Sequence, residues 1–451
     1  MRIAIVGCTH AGVAAIKAIK AFHPEADVVV YERDDNVSFL SCGIALYLDQ
    51  EVAKLEDMFY ETPEHLATLG VTVRVRHDVL AIDSHKQTLR VQDLASNAVF
   101  EDHYDKLIVT TGSYVQVPPL WGIDDSHVLM CKDARQAELI RQNTLADQKI
   151  AIVGAGYIGV ELAEAFANTN HQVTLLQGNQ QLLNNYIDPG MSAHVAEVLE
   201  HHGVEVHLDA RVEAFSGELG GQTVTVETAE DQYVADVAIV CTGFLANTAL
   251  LRGQVAMDRH GALLTNQWMQ TSDENIYAAG DARTVHFNPT GKAAYVPLAS
   301  NAVRQGYIVG RNVFGNLQED LGTQATTAMR LFDENLAMTG LTLVGAKREN
   351  IPAASVTYVG PYRPAFMKGH ADVRITLVYN PENRRILGAQ LISSHEITQS
   401  ANAVSIAIQN HNTIDDLAYV DMLFNPHYDQ PFNYLNLVAQ MAVAQAEEAG
   451  K

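Results

Sequence analysis

The chain has 451 residues, with 30 Lys and Arg against 53 Asp and Glu, for a formal charge of −23. That length exceeds what one ordinary hydrophobic core organises and implies roughly two to four domains. The acidic balance excludes nucleic acid and anionic membrane surfaces as partners, because both are bound through basic patches.

No apolar run approaches the roughly 20 residues that span a bilayer, and the first residues enter a strand with no basic-then-apolar leader, so a cytoplasmic location and no membrane partner are expected. The four cysteines, Cys8, Cys42, Cys131 and Cys241, lie far apart. They match neither a secreted disulfide framework nor a Cys-x-x-Cys pair, and no metal is expected.

The apolar run Arg2–Val6 leads into Gly7-Cys8-Thr9-His10-Ala11-Gly12 and then a helical pattern through Lys20, which reads as strand, glycine turn and helix. A second strand, Val28–Tyr31, ends in Glu32, about 20 residues past Gly12, where a dinucleotide fold places the acid that meets the adenosine ribose. Thr9 stands where the glycine fingerprint has its middle glycine, so this motif alone is also compatible with a generic strand-helix turn.

Cys42 lies within Ser38-Phe39-Leu40-Ser41-Cys42-Gly43-Ile44-Ala45-Leu46-Tyr47 with no second cysteine beside it. Taken alone it reads as a small buried hydrophobe, the usual fate of such a residue. Redox work would demand a thiolate in a partly exposed, electropositive setting.

Asp105–Val109 forms a strand ending in Thr110-Thr111-Gly112-Ser113, and Pro118-Pro119 stiffens the exit, which places a domain boundary near residue 120. Next, Lys149–Val153 runs into Gly154-Ala155-Gly156-Tyr157-Ile158-Gly159, a helix, and the strand Gln172–Leu176. The first two glycines permit a tight turn and close approach to a pyrophosphate, the third lets helix pack on strand, and the helix N-terminus meets the phosphates. Gln177 ends that strand where an NAD-selective site has an acid, and no Arg follows within Gly178–Gln181 to grip a 2′-phosphate.

Asp236–Gly243 repeats the strand-into-Thr-Gly pattern of residues 105–112, so two similar nucleotide-binding units are expected in tandem. Ile276-Tyr277-Ala278-Ala279-Gly280-Asp281 follows; taken alone, Asp281 reads as a helix cap. Past residue 320, the runs Asp372–Tyr379 and Arg385–Ile392 flank Asn380-Pro381-Glu382-Asn383 as a hairpin, followed by helices around Ala401–Gln409 and from Tyr434 onward. No fingerprint recurs there, and this α+β part is expected to pack or dimerise.

Taken together, the Gly7–Gly12 turn, Ser38–Gly43, Gly154–Glu161, Ala278–Asp281 and Tyr362-Arg363-Pro364-Ala365-Phe366-Met367 resemble the pyridine nucleotide-disulfide oxidoreductase superfamily. Within it the chain is similar to the water-forming NADH oxidases, with NADH peroxidases and coenzyme A-disulfide reductases as near relatives. The resemblance implies an α/β fold of two Rossmann-like dinucleotide-binding domains, one for FAD and one for NAD, plus a C-terminal α+β dimerisation domain. Residues 1–120 and 246–322 would form the FAD domain, 121–245 the NAD(P)H domain and 323–451 the dimerisation domain.

By the same resemblance Gly7, Thr9, Ala11, Gly12, Glu32, Thr111, Gly112, Ser113, Lys132, Asp281 and Ala299 would hold FAD. Gly154, Gly156, Tyr157, Ile158, Gly159, Glu161, Gln177, Tyr186 and Gly243 would line the nicotinamide dinucleotide site. NADH is the implied coenzyme, with tolerance for NADPH because Gln177 departs from the usual acid. Cys42 would alternate between thiolate and sulfenic acid, since it lacks the neighbouring cysteine of the disulfide reductases. His10 would be the active-site histidine, with Arg304 either its partner or the member of a surface ion pair. Dioxygen and NADH are the implied substrates and water the product. A homodimer or higher homo-oligomer would bring Phe424–Tyr428 toward the partner's flavin. The rival activities are an NADH peroxidase, a coenzyme A-disulfide reductase, whose usual proline is missing from Cys42–Tyr47, and a non-catalytic flavin redox sensor.

Overall fold

A strand buried on both faces must be apolar along its whole length, and Arg2–Val6 and Asp27–Tyr31 meet that condition after their first residue. In the computed structural model, which describes residues 1–145, 147–217 and 220–449, they pair in parallel at the centre of a five-stranded sheet. Its order is Ile276–Ala278, Lys106–Val109, Arg2–Val6, Asp27–Tyr31, Val71–Arg74. Alternate side chains feed two cores. Ile3, Ile5, Val28 and Val30 pack with the helix His10–Phe22, and Ala4, Val6, Val29 and Tyr31 pack with Val79, Leu89 and Val91 of an antiparallel three-stranded sheet.

The chain divides into two compact units: residues 1–145, 239–285 and 293–321, and residues 146–238, 286–292 and 322–451. The first contains the sheet just described. There the helix Ala299–Asn312 lies against His10–Phe22, and the approach needs glycine: a Cβ on Gly306 would stand 2.3 Å from the Ala11 carbonyl oxygen, and one on Gly310 2.6 Å from that of Ala15.

The second unit holds the parallel strands Lys149–Val153, Gln172–Leu176 and Glu205–His207 with the helix Tyr157–Asn168. It also contains a five-stranded antiparallel sheet, ordered Thr327–Leu331, Glu334–Gly340, Ile386–Ser393, Asp372–Tyr379, Ala354–Pro361. The hairpin read around Asn380 is present, with Leu377 opposite Ala389. Val373, Ile375 and Leu377 point into a core closed by the helices Gln399–Gln409, Ile414–Tyr419 and Tyr434–Ala449. Asp188 ties the nucleotide-type strands to this sheet, accepting from the backbone N–H groups of Leu343 and Val344 and from Gln390 Nε2. The strand Val237–Val240 lies where the division between units falls. Among the described residues no helix is long and apolar enough to cross a membrane.

The fold class is the expected one: α/β with two dinucleotide-type glycine turns on parallel sheets and a C-terminal α+β region.

Candidate active site

The first glycine turn is shaped by contacts that a side chain would break. Gly7 has φ of +95°, and a Cβ on it would lie 2.4 Å from the Thr110 carbonyl oxygen; a Cβ on Gly12 would lie 2.2 Å from that of Gly7. Thr9, by contrast, has φ of −98° and is exposed, so no glycine is needed there for the backbone to turn. Ala11 is buried on the helix that follows. Glu32 is buried at the end of its strand, and its carboxylate accepts from Cys8 N at 2.7 Å and Asp34 N at 3.0 Å. Burial pushes its pKa up, the opposing hydrogen bonds notwithstanding. A carboxylate has about four acceptor directions, so capacity remains for ribose hydroxyls.

Gly112, with φ of +67°, has no atom within 4 Å of where a Cβ would sit, so this turn leaves open space. Thr111 is anchored through its hydroxyl to the Asn247 carbonyl, and Ser113 Oγ donates to Asp281 Oδ2 at 2.7 Å. Lys132 Nζ stands 3.5 Å from the same oxygen and 4.0 Å from the centre of the Phe244 ring. Asp281 therefore sits on a short 3-10 turn as an ion-pair partner, and the capping role that its local sequence suggests is not the one observed. Gln305 holds that turn by accepting from Gly280 N at 2.9 Å. Ala299 begins the helix carrying Gln305.

His10 opens its helix, and Nδ1 lies 2.8 Å from the Tyr60 hydroxyl, with the two rings nearly parallel. Nε2 is buried with no hydrogen-bond partner among the described residues. A neutral imidazole offers one donor and one acceptor, so whichever tautomer Tyr60 selects, Nε2 keeps one unsatisfied capacity. Burial lowers the His10 pKa, Asp281 works against that shift and Lys132 adds to it. Arg304 donates to Asn301 Oδ1 at 2.7 Å, and Tyr60 is the partner seen at Nδ1 of His10.

Cys42 is exposed on the 3-10 turn Ser41–Gly43, which is not the burial that its segment taken alone suggested. Its loop is pinned at several points. Ser38 N donates to the Cys8 carbonyl at 2.9 Å, Ser38 Oγ bonds both the carbonyl and the N–H of Glu61, and Leu40 N donates to the Met58 carbonyl. These bonds bring Cys42 to the segment carrying Tyr60, whose hydroxyl pKa is raised by burial and then by Cys8 and Cys42. Cys8 is buried, and no disulfide joins the cysteines among the described residues.

The second unit repeats the first turn's geometry. Gly154 has φ of +102°, and a Cβ on Gly159 would stand 1.9 Å from the Gly154 carbonyl oxygen, while one on Gly156 would meet nothing within 4 Å. Tyr157 and Ile158 form the first turn of the helix, and the Tyr157 ring lies 4.0 Å from that of Tyr186. Glu161, one turn further, is pushed up to about 7 by burial and then by the buried Glu164. Gln177 is buried; its Oε1 accepts from Ala155 N at 3.2 Å, and its Nε2 donates to the Gln181 carbonyl at 2.9 Å. Gly243, with φ of +103°, accepts from Gln116 N and belongs to the first unit.

The second turn leaves room for a pyrophosphate at Gly156, and the first has the same tight strand-to-helix form with the exposed Thr9 at that place, so the chain has the scaffold of a protein with two dinucleotide-type turns. The chain belongs to the pyridine nucleotide-disulphide oxidoreductase family: the model of that family matches residues 1–306, and that of its dimerisation domain matches residues 326–434. It is 44% identical to an NADH oxidase of Enterococcus faecalis over 443 residues, covering 98% of this chain and 99% of that one. It is similar to the structure of a water-forming NADH oxidase from Lactobacillus brevis bound to NADH, with 46% identity, a TM-score of 0.98 and full coverage of both chains. An engineered water-forming NADPH oxidase bound to NADPH, a mutant of that enzyme, matches with a TM-score of 0.98, 44% identity and 100% coverage of both chains. The protein is thus an oxidoreductase enzyme that works with FAD and a pyridine nucleotide.

Proposed function

We propose that the protein is an NADH oxidase that reduces dioxygen to water, with Cys42 as its single redox-active cysteine. The observation that carries this reading is the exposed Cys42 on a loop bonded to the segment of Tyr60, with His10, whose Nε2 has no partner among the described residues, stacked on that tyrosine. The relatives named NADH oxidase support it.

Gly7, Thr9, Ala11, Gly12, Glu32, Thr111, Gly112, Ser113, Lys132, Asp281 and Ala299 would hold FAD, all within the first unit. Gly154, Gly156, Tyr157, Ile158, Gly159, Glu161, Gln177, Tyr186 and Gly243 would hold the nicotinamide coenzyme. When bound, FAD accepts hydride from NADH and delivers the electron pair to dioxygen, bringing it to the oxidation level of hydrogen peroxide.

The Cys42 thiolate then attacks a peroxide oxygen. A sulfur–oxygen bond forms, the oxygen–oxygen bond breaks, and the hydroxide released takes a proton to become the first water. The sulfenic acid so formed is returned to thiolate by the electron pair of a second NADH, with loss of the second water. His10 Nε2 makes its missing hydrogen bond to the oxygen species and keeps it beside the sulfur. Burial lowers the pKa of this imidazole and so favours the neutral form, which orients without adding charge.

Residues 1–120 with 246–322, 121–245 and 323–451 are the proposed FAD, NAD(P)H and dimerisation domains, in a cytoplasmic homodimer. The test is stoichiometry. The wild type should consume two NADH per dioxygen without free peroxide, and Cys42→Ser one NADH per dioxygen with peroxide released. Water as the sole product of Cys42→Ser would overturn the role of Cys42.

A further inference from the structure

The strand-end position that meets the adenosine ribose in a dinucleotide fold decides between NAD and NADP: an acid accepts from the 2′-hydroxyl, whereas an arginine nearby accommodates a 2′-phosphate. Gln177 occupies it here, and both ends of its amide are already engaged, by Ala155 N and the Gln181 carbonyl. No carboxylate therefore faces this spot from Gln177, and the next residue, Gly178, has no side chain. The local sequence contains no arginine, but the fold supplies one. A Cβ on Gly178 would lie 3.5 Å from both Cα and Cβ of Arg211 and 3.8 Å from its Cγ.

That approach is built by the backbone. Gln177 N donates to the His207 carbonyl at 2.9 Å, Ala210 N donates to the Gln177 carbonyl at 2.9 Å, and Asp209 N donates to the Asn179 carbonyl at 3.1 Å. The segment 207–211 is thus laced to 177–179, with Asp209 in the left-handed region at φ 56° to make the turn. Arg211 is exposed, and its guanidinium has no hydrogen-bond or ion-pair partner among the described residues. The opposing charge is Asp209, exposed on the same turn.

We propose that Arg211 is a specificity-determining residue that binds the 2′-phosphate of NADPH, so that the enzyme uses both nicotinamide coenzymes. This rests on the reading of residues 154–177 as the coenzyme site and extends it to a second substrate. A guanidinium offers paired donors to phosphate oxygens, and a partner at an exposed site makes the contact sensitive to salt.

The test compares kcat/KM for NADPH and NADH in the wild type, Arg211→Ala, Arg211→Lys and Asp209→Asn, the last chosen because Asn also tolerates φ near 56°. Arg211→Ala should lower the NADPH/NADH ratio by about tenfold or more, chiefly through KM. Arg211→Lys should recover part of it, and Asp209→Asn should raise it. The KM for NADPH should climb with ionic strength more steeply than that for NADH. Calorimetric titration of the holoenzyme with adenosine 2′,5′-bisphosphate and with 5′-AMP adds a readout that needs no turnover. The wild type should prefer the bisphosphate, and Arg211→Ala should lose that preference. An unchanged ratio and an unchanged binding preference in Arg211→Ala would overturn the proposal. Retained preference for the bisphosphate in a protein that consumes no dioxygen would instead overturn the oxidase reading alone.

Discussion

Glu161 offers a quantitative check on the electrostatics of the coenzyme turn. Its carboxyl is pushed up to about 7 by burial on the helix Tyr157–Asn168 and by Glu164 three residues on, against an ordinary value of 4.5. Between those two values the native state holds a proton that the unfolded chain has lost. The unfolded state then binds fewer protons, so stability falls as pH rises through this window and stops falling above about 7. With the two values 4.5 and about 7, the linkage integral between pH 5 and pH 8 amounts to roughly 2–3 kcal/mol. Glu161→Gln keeps the shape and removes the titration. Urea unfolding of wild type and variant at fixed protein concentration should show the wild type losing roughly 2–3 kcal/mol more than the variant between pH 5 and pH 8. Groups distant from Glu161 titrate in both proteins and cancel in the difference, which leaves Glu161 and its coupled neighbour Glu164 to report. Parallel pH profiles, agreeing within about 0.5 kcal/mol, would refute the argument.

Two further outcomes follow from single contacts. Arg283 is buried, with Nε donating to the Thr284 carbonyl at 2.6 Å and Nη1 standing 3.3 Å from Asp320 Oδ2, so Asp320→Ala leaves its charge uncompensated. The cost should be about 3–5 kcal/mol in denaturant unfolding, and a loss below about 1 kcal/mol would show that the pair is dispensable. Gly7→Ala would place a methyl group 2.4 Å from the Thr110 carbonyl oxygen at a φ of +95°, so the variant should purify without its yellow flavin absorbance. Stoichiometric flavin in that protein would contradict the account of this turn.

The bond network around Cys42 separates what local pattern encodes from what it does not. The two strand, glycine turn and helix segments were legible because continuous apolar runs, glycine spacing and helical periodicity are properties of a few consecutive residues. The same holds for the hairpin around Asn380 and for the absence of a fingerprint past residue 320. Asp281 was misread when taken alone because a carboxylate after a glycine has the local look of a cap, while its actual partners, Ser113 and Lys132, come from elsewhere in the chain. Tyr60 went unseen beside His10 for the same reason, being 50 residues away.

Sequence by itself determined the main elements, the two dinucleotide-type turns and the family. Each of these is written in short-range spacing that backbone sterics and burial convert directly into shape. Tertiary structure alone decided what surrounds the reactive groups: Tyr60 on His10, Gln305 on the Gly280 turn, and Arg211 on Gly178 where the neighbouring sequence lacks any arginine. Those pairings join distant segments, and only the packing of sheets and helices brings such segments within hydrogen-bonding distance of one another.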